Sequence, residues 1–224
     1  MDRDIHVTND GSKTLYIKSL NENYHSHHGA LQEAEHVFIE NGIKLIYHSE
    51  INILEMGFGT GLNVLVTINE FLKSPSIQKI NYFSLEKYPV TLDEIKQLEY
   101  ESLFDEPSFK EINHQIHTTP WSEAVEIVPG FFLTKIQCDF FELKNTGISE
   151  IDLVYYDCFG ARVQPDLWEK PLFESVAETM KTGGLLTTYS SKGSVRRILQ
   201  ELDFEVEKKP GAPGKREMIN AWKK

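Results

Sequence analysis

The sequence predicts an α/β fold built on a doubly wound, mainly parallel sheet. Short apolar runs of strand length alternate with segments of helical period along most of the chain. A glycine-rich turn at 57–61 joins one such strand to a helix, a junction that aims helix N-terminal amides at a ligand. Three strand-like runs end on an acid, Glu86, Asp139 and Asp157. Open α/β sheets bind their ligands at those carboxyl ends.

The opening reads as a hairpin. Residues 5–8 alternate, Asn9-Asp10-Gly11 supplies turn chemistry, and 14–17 return. A polar segment with Tyr24, Ser26 and Gly29 leads into helical spacing over 30–40. A strand at 51–56 is followed by the turn at 57–61 and a helix at 62–73, stopped by Pro75. Strands follow at 80–85, 131–136 and 151–156. A helix over 165–180 is closed by Gly183-Gly184, with a strand at 185–189 and a helix at 195–202 after it. Residues 204–207 and 218–222 read as a closing strand pair, and 102–128, with Trp121 and two prolines, as an irregular insertion with one helix. No repeat or low-complexity tract divides the chain, which reads as a single domain over 1–224, with an N-terminal extension at 1–45 and a core at 46–224.

A chain of 224 residues can bury a sizeable core. No apolar run approaches the roughly 20 residues of a bilayer span. Met1-Asp2-Arg3-Asp4 is acidic and has no apolar region of a secretory signal. The only cysteines, Cys138 and Cys158, lack ligand spacing and fit a reducing, cytoplasmic setting. The net charge of −11 argues against a nucleic-acid partner, but the charge is uneven. From Lys181 onward there are 10 basic and 5 acidic residues, against 13 and 29 before it, so a local phosphate footprint is available.

The sharpest motif is Glu55-Met56-Gly57-Phe58-Gly59-Thr60-Gly61. A nicotinamide fold would place its third glycine one residue later, where Leu62 stands. The spacing, with an acid two residues before the first glycine, matches motif I of S-adenosylmethionine-dependent methyltransferases. That cofactor has no pyrophosphate to hold, and its methionine part carries an ammonium that an acid near the loop suits. Glu86 has the acceptors for two ribose hydroxyls. Asp139 can accept from the adenine amino group, with Phe140 against the ring, although a short acid there is also a helix cap. In a methyltransferase of that fold the end of the fourth strand faces the transferring methyl, so a carboxylate at Asp157 would orient an attacking amine and help take its proton. His25-Ser26-His27-His28 lacks a metal-ligand spacing, and no histidine is placed in sequence to activate Cys158, so neither metal nor thiol chemistry is expected.

On further blocks the chain resembles the tRNA 5-aminomethyl-2-thiouridine methyltransferase family, which includes the methyltransferase half of the bifunctional MnmC enzymes and the stand-alone MnmD. The blocks are Tyr24-x-Ser26-x-x-Gly29 with Glu33, 55–63, Leu85-Glu86-Lys87, Tyr156-Asp157-x-Phe159, Pro165-Asp166-Leu167-Trp168, Val195-Arg196-Arg197 and Gly214-Lys215-Arg216-Glu217-Met218. They cover about 24–222. The resemblance implies a Rossmann-like class I methyltransferase, a mostly parallel seven-stranded sheet with an antiparallel edge strand and a small N-terminal hairpin extension. It implies N-methylation of the 5-aminomethyl group of wobble (2-thio)uridine in tRNA. Asp157 would hold the aminomethyl nitrogen. Glu55, Gly57, Phe58, Gly59, Gly61, Asn63, Glu86, Lys87 and Asp139 would join Asp157 at the S-adenosylmethionine site. Tyr24, Phe159, Arg196, Arg197, Lys215 and Arg216 would face the tRNA. No metal, membrane or flavin is implied, and the oxidase domain of the fused members is not expected here. The family often has Gly after the catalytic Asp and Ala-Pro after the Phe. Cys158 and Gly160-Ala161 stand there instead, so this loop has its own shape. The alternative is a methyltransferase or aminopropyltransferase acting on a small-molecule amine, with a non-catalytic cofactor-binding module behind it.

Overall fold

A computed structural model describes residues 3–224; Met1 and Asp2, part of the acidic N-terminus, lie outside the described residues. Strands β1 (Arg3–Val7), β2 (Lys13–Ile17) and β3 (Glu22–Asn23) form a small antiparallel sheet. Helix α1 (Ala30–Ala34) runs on as a π-helical turn over Glu35–Glu40. The core then alternates: β4 (Glu50–Met56), α2 (Leu62–Lys73), β5 (Lys79–Leu85), α3 (Leu92–Leu98), α4 (Phe109–Thr118), β6 (Ala124–Val128), β7 (Phe131–Ile136), β8 (Ile151–Tyr156), α5 (Lys170–Thr179), β9 (Met180–Thr188), α6 (Gly193–Glu201), β10 (Phe204–Pro210) and β11 (Glu217–Lys223).

The main sheet has eight strands in the order β10-β11-β9-β8-β4-β5-β7-β6. The five central strands run parallel, β6 and β11 run antiparallel to them, and β10 pairs antiparallel with β11 and so points the same way as the centre. The chain winds outward from β4 through β5 and β7, then returns to β8 on the other side. The switch point therefore lies between β4 and β8, where a crevice must open. Each face is covered: α1, α2 and α4 pack with Ile51 and Ile53 of β4, and α5 and α6 with its Leu54 and Met56. Burial on both faces explains why β8 reads as a continuous apolar run.

The structure departs from the sequence pattern in three places. The eighth strand, β6, lies in the stretch read as irregular, paired with β7 through a bulge. Helix α4, with Phe109, Ile112, Asn113 and Ile116 buried, is the helix expected there. The helix expected over 165–180 splits into a 3-10 turn at Pro165–Trp168 and α5, because Pro171 belongs in a helix's first turn. Gly183 and Gly184 do not cap that helix; they sit inside β9, where the β8–β9 register shifts between Ile151 and Leu153. No helix among the described residues is long and apolar enough to cross a membrane.

Candidate active site

A cavity of about 980 Å³ opens at the carboxyl ends of β4, β5 and β8, roofed by the segment 20–28. The loop after β4 forms its floor. Gly57, Gly59 and Gly61 all take positive φ (114°, 51° and 75°). A Cβ on Gly59 would stand 3.3 Å from the Tyr24 ring, and one on Gly61 would stand 3.0 Å from the His117 ring. Glycine is needed for both conformation and close approach.

Glu86 closes the β5 flank. Its Oε2 accepts the Gly59 N–H at 3.0 Å and its Oε1 accepts the Tyr88 N–H at 2.7 Å, so the carboxylate is fixed against the loop. Asp139 lines the same flank. The Lys87 ammonium donates to its Oδ2 at 2.7 Å and holds its pKa below the usual range. Its Oδ1 caps the 3-10 turn Phe140–Asn145 through the Phe141 N–H at 3.0 Å. Asp139 is therefore a cap and a cavity wall at once, with Phe140 beside it.

Asp157 follows β8 at the switch point. Asn63, in the first turn of α2, donates from Nδ2 to Asp157 Oδ2 at 2.8 Å. Burial pushes the Asp157 carboxyl up to about 7, against the pull of that hydrogen bond. The residues after it are clamped. Trp168 donates from Nε1 to the Phe159 carbonyl at 2.7 Å, and Tyr189 donates its hydroxyl to the Cys158 carbonyl at 2.7 Å. The Tyr156 hydroxyl donates to the Leu167 carbonyl from inside the core, and Tyr156 itself does not line the cavity. The Tyr-Asp-x-Phe and Pro-Asp-Leu-Trp blocks are thus two halves of one clamp. Phe159 meets Tyr24 edge-on, with ring centroids 5.0 Å apart.

The sequence-predicted residues fall into two groups. Tyr24, Gly57, Phe58, Gly59, Asn63, Glu86, Lys87, Asp139, Asp157, Phe159 and Lys215 line the cavity. Glu55 does not. Strand alternation turns it to the same face as Ile51 and Ile53, and it is fully buried. Ser84 Oγ donates to its Oε2, while Oε1 has no partner among the described residues. Burial raises Glu55 to about 8, so it is a neutral acid under the site near pH 7. The expectation that its carboxylate meets the ligand's ammonium is not met in this geometry. Gly61 also lies behind the lining, at the start of α2.

Arg196, Arg197 and Arg216 lie outside the cavity, and Arg196 Nε is buried without a partner among the described residues. Lys215 faces inward, paired with Glu33. Among the lining residues without a site role in the sequence reading are His25, Arg162 and Tyr189. Arg162 binds Glu22 at 2.5 Å and the Asn21 carbonyl at 3.1 Å, tying the loop after β8 to the roof. Tyr189 immediately follows β9, and the strand-end rule that flags Asp157 also reaches it. Burial holds His25 down to about 4, with its Nδ1 3.1 Å from the Thr14 hydroxyl, and His27 Nε2 lies 2.8 Å from Asn23 Nδ2.

The donor set fits S-adenosylmethionine. Glu86 has lone pairs left for a ribose diol, Asp139 an acceptor beside an aromatic ring, and Asp157 with Asn63 a polar end. A volume near 980 Å³ is at the upper end of the roughly 300–1,000 Å³ of small-molecule sites, leaving room for a second reactant.

Comparison with known proteins agrees. A family model described as S-adenosyl-L-methionine-dependent methyltransferase matches residues 107–224. A protein of Idiomarina loihiensis, named tRNA 5-methylaminomethyl-2-thiouridine biosynthesis bifunctional protein MnmC, is 30% identical over 210 residues, covering 88% of this chain and 34% of that protein. The protein of that name from Aromatoleum aromaticum is 31% identical over 217 residues, covering 94% and 34%. The chain thus spans about a third of the length of these curated relatives. Among solved structures, MNMC2 from Aquifex aeolicus superposes with a TM-score of 0.81 at 26% identity, covering 100% of this chain and 70% of that one. Spermidine synthase from Thermotoga maritima superposes at 0.59 with 12% identity, covering 98% and 68%, a likeness of fold alone. With more than half of its length matched by the family model, this chain belongs to the S-adenosyl-L-methionine-dependent methyltransferases.

Proposed function

We propose that the chain methylates the 5-aminomethyl group of wobble (2-thio)uridine in tRNA, giving 5-methylaminomethyl-(2-thio)uridine. The observation that carries the proposal is Asp157: a clamped carboxylate, held by Asn63, between an acid-lined flank and an aromatic one. Glu86 and Asp139 suit an adenosine on the β5 side. Tyr24, Phe159 and Tyr189 offer faces and edges to a base on the other. The name of the MnmC relatives supports tRNA as the substrate.

S-adenosylmethionine, when bound, supplies an electrophilic methyl group. An alkylammonium has no lone pair, so the attacking aminomethyl group must be neutral. Asp157 accepts an N–H of that amine, aims its lone pair, and stabilises the positive charge that grows on nitrogen. Its pKa of about 7 lets it take the departing proton. Glu86 would hold the ribose hydroxyls, and Lys87 keeps Asp139 ionised to accept from the adenine amino group. The exposed Arg197 and Arg216 are candidate phosphate partners.

The test is labelled methyl transfer to tRNA bearing 5-aminomethyluridine, beside polyamines and other small amines. Transfer to that tRNA is expected. Label in a small amine instead, or transfer of an aminopropyl group, would overturn the proposal.

A further inference from the structure

Glu33 stands across the cavity from the acids assigned to adenosine. It belongs to α1 and is buried, with 9% of the residue exposed. Oε2 accepts the Ser26 N–H at 2.9 Å, and Oε1 takes the Lys215 ammonium. The same ammonium lies 4.0 Å from the centroid of the Tyr189 ring. Tyr189 in turn holds the carbonyl of Cys158, next to Asp157.

A primary alkylammonium therefore sits between a buried carboxylate and an aromatic ring, beside the residue that handles the amine. A carboxylate gives a charge-assisted hydrogen bond, and an aromatic face attracts cations. A buried carboxylate without a counter-ion is costly, so it needs a cation at all times. Lys215 is carried by the loop between β10 and β11, on a flexible stem that can withdraw. Sheet order adds a second argument. Glu86 and Asp139 follow β5 and β7, whereas Tyr189 follows β9, across β8 from them. This flank is left to the second reactant.

We propose that Glu33 and the Tyr189 ring form the ammonium subsite of the amine substrate, and that Lys215 is a tethered cation that occupies it until the substrate's amine takes its place. The site then recognises charge before it acts on the neutral amine: the ammonium is captured at Glu33, gives one proton to solvent water, and moves as the neutral amine to Asp157. This rests on the substrate being an amine, as proposed above.

The experiment uses the full chain with S-adenosylhomocysteine and two tRNAs, identical except for 5-aminomethyl or 5-hydroxymethyl on the wobble uridine. The wild type should bind the aminomethyl form more tightly. E33Q, which keeps shape and removes charge, should weaken the aminomethyl tRNA by about tenfold or more and change the hydroxymethyl tRNA by less than about twofold. E33D should recover part of the loss. K215M should leave aminomethyl binding unchanged or tighter, because a competitor is gone. The double variant E33Q/K215M, in which neither charge is left buried alone, should lose the amine preference as E33Q does, and thermal melts report any folding loss. Equal weakening of both tRNAs by E33Q, no weakening, or weakening of both by K215M would overturn the proposal. Methyl transfer by the wild type is read separately, so a wrong substrate and a wrong subsite give different results.

Discussion

Two carboxyls, one lining the cavity and one buried beneath it, are the most consequential single residues. Asp157 is expected to act in the transition state more than in binding. Asp157→Asn should lower kcat on the order of 10² or more, with S-adenosylmethionine still bound by calorimetry. Near-normal turnover would remove Asp157 from its role. Glu55 makes a stability prediction. Its folded pKa, about 8, is raised above the ordinary value, so its contribution is fully present at pH below about 4 and lost as pH rises through 8. Glu55→Gln removes that loss. It should stabilise the fold relative to wild type at pH 9, by up to about 5 kcal/mol for a rise from 4.5 to about 8, and much less at pH 5, read as the difference in Tm at the two pH values. Equal effects at both pH values would mean that Glu55 is not held neutral. Gly59→Val would put a β-branched side chain at φ 51° and against the Tyr24 ring, so S-adenosylmethionine affinity should fall steeply. Unchanged affinity would move the cofactor site elsewhere.

At the scale of elements, the loop from β8 to α5 decides where Asp157 and Phe159 sit. Trp168→Phe keeps the apolar packing with Tyr156 and Phe173 and removes the hydrogen bond to the Phe159 carbonyl. It should raise KM for the tRNA several-fold, with cofactor affinity held, because one buried hydrogen bond of about 1 kcal/mol is lost from the substrate side. A change confined to cofactor binding would contradict the clamp. The same elements show where sequence patterning works. The glycine turn and the strand ends were readable because their residue types are tied to backbone geometry. Residues 165–180 were not, since a helical period cannot show that Pro171 starts a new helix. Nor was β6, an edge strand whose exposed face blurs its alternation. Arg162 and Tyr189 carry no motif, His25 stands in a histidine run without ligand spacing, and only folding brings the three to one cavity.

At the scale of the whole molecule, the proposed tRNA substrate would bring a polyanion to an acidic body of net charge −11. The structure takes Lys215 out of the outward-facing set by pairing it with Glu33, and leaves Arg197 and Arg216 exposed. With about three phosphates neutralised, log affinity for tRNA should fall against log salt with a slope near −2 to −3. Arg197→Glu should flatten that slope by about one and leave cofactor affinity unchanged. Salt-independent binding would point to a small-molecule amine.

The sequence by itself determined the alternation of strands and helices, the glycine loop, and the acids at the ends of β5 and β8. These follow from local rules: periodicity, positive φ, and the position of a residue in its strand. The tertiary structure decided which carboxyls face the cavity. Glu55 and Asp157 are both acids beside the same loop, yet side-chain alternation along β4 buries the first under the sheet, and the end of β8 opens the second to the cavity. It also decided that Lys215, distant in sequence from Glu33 and Tyr189, lies between them, because the β10–β11 hairpin folds back over the N-terminal helix.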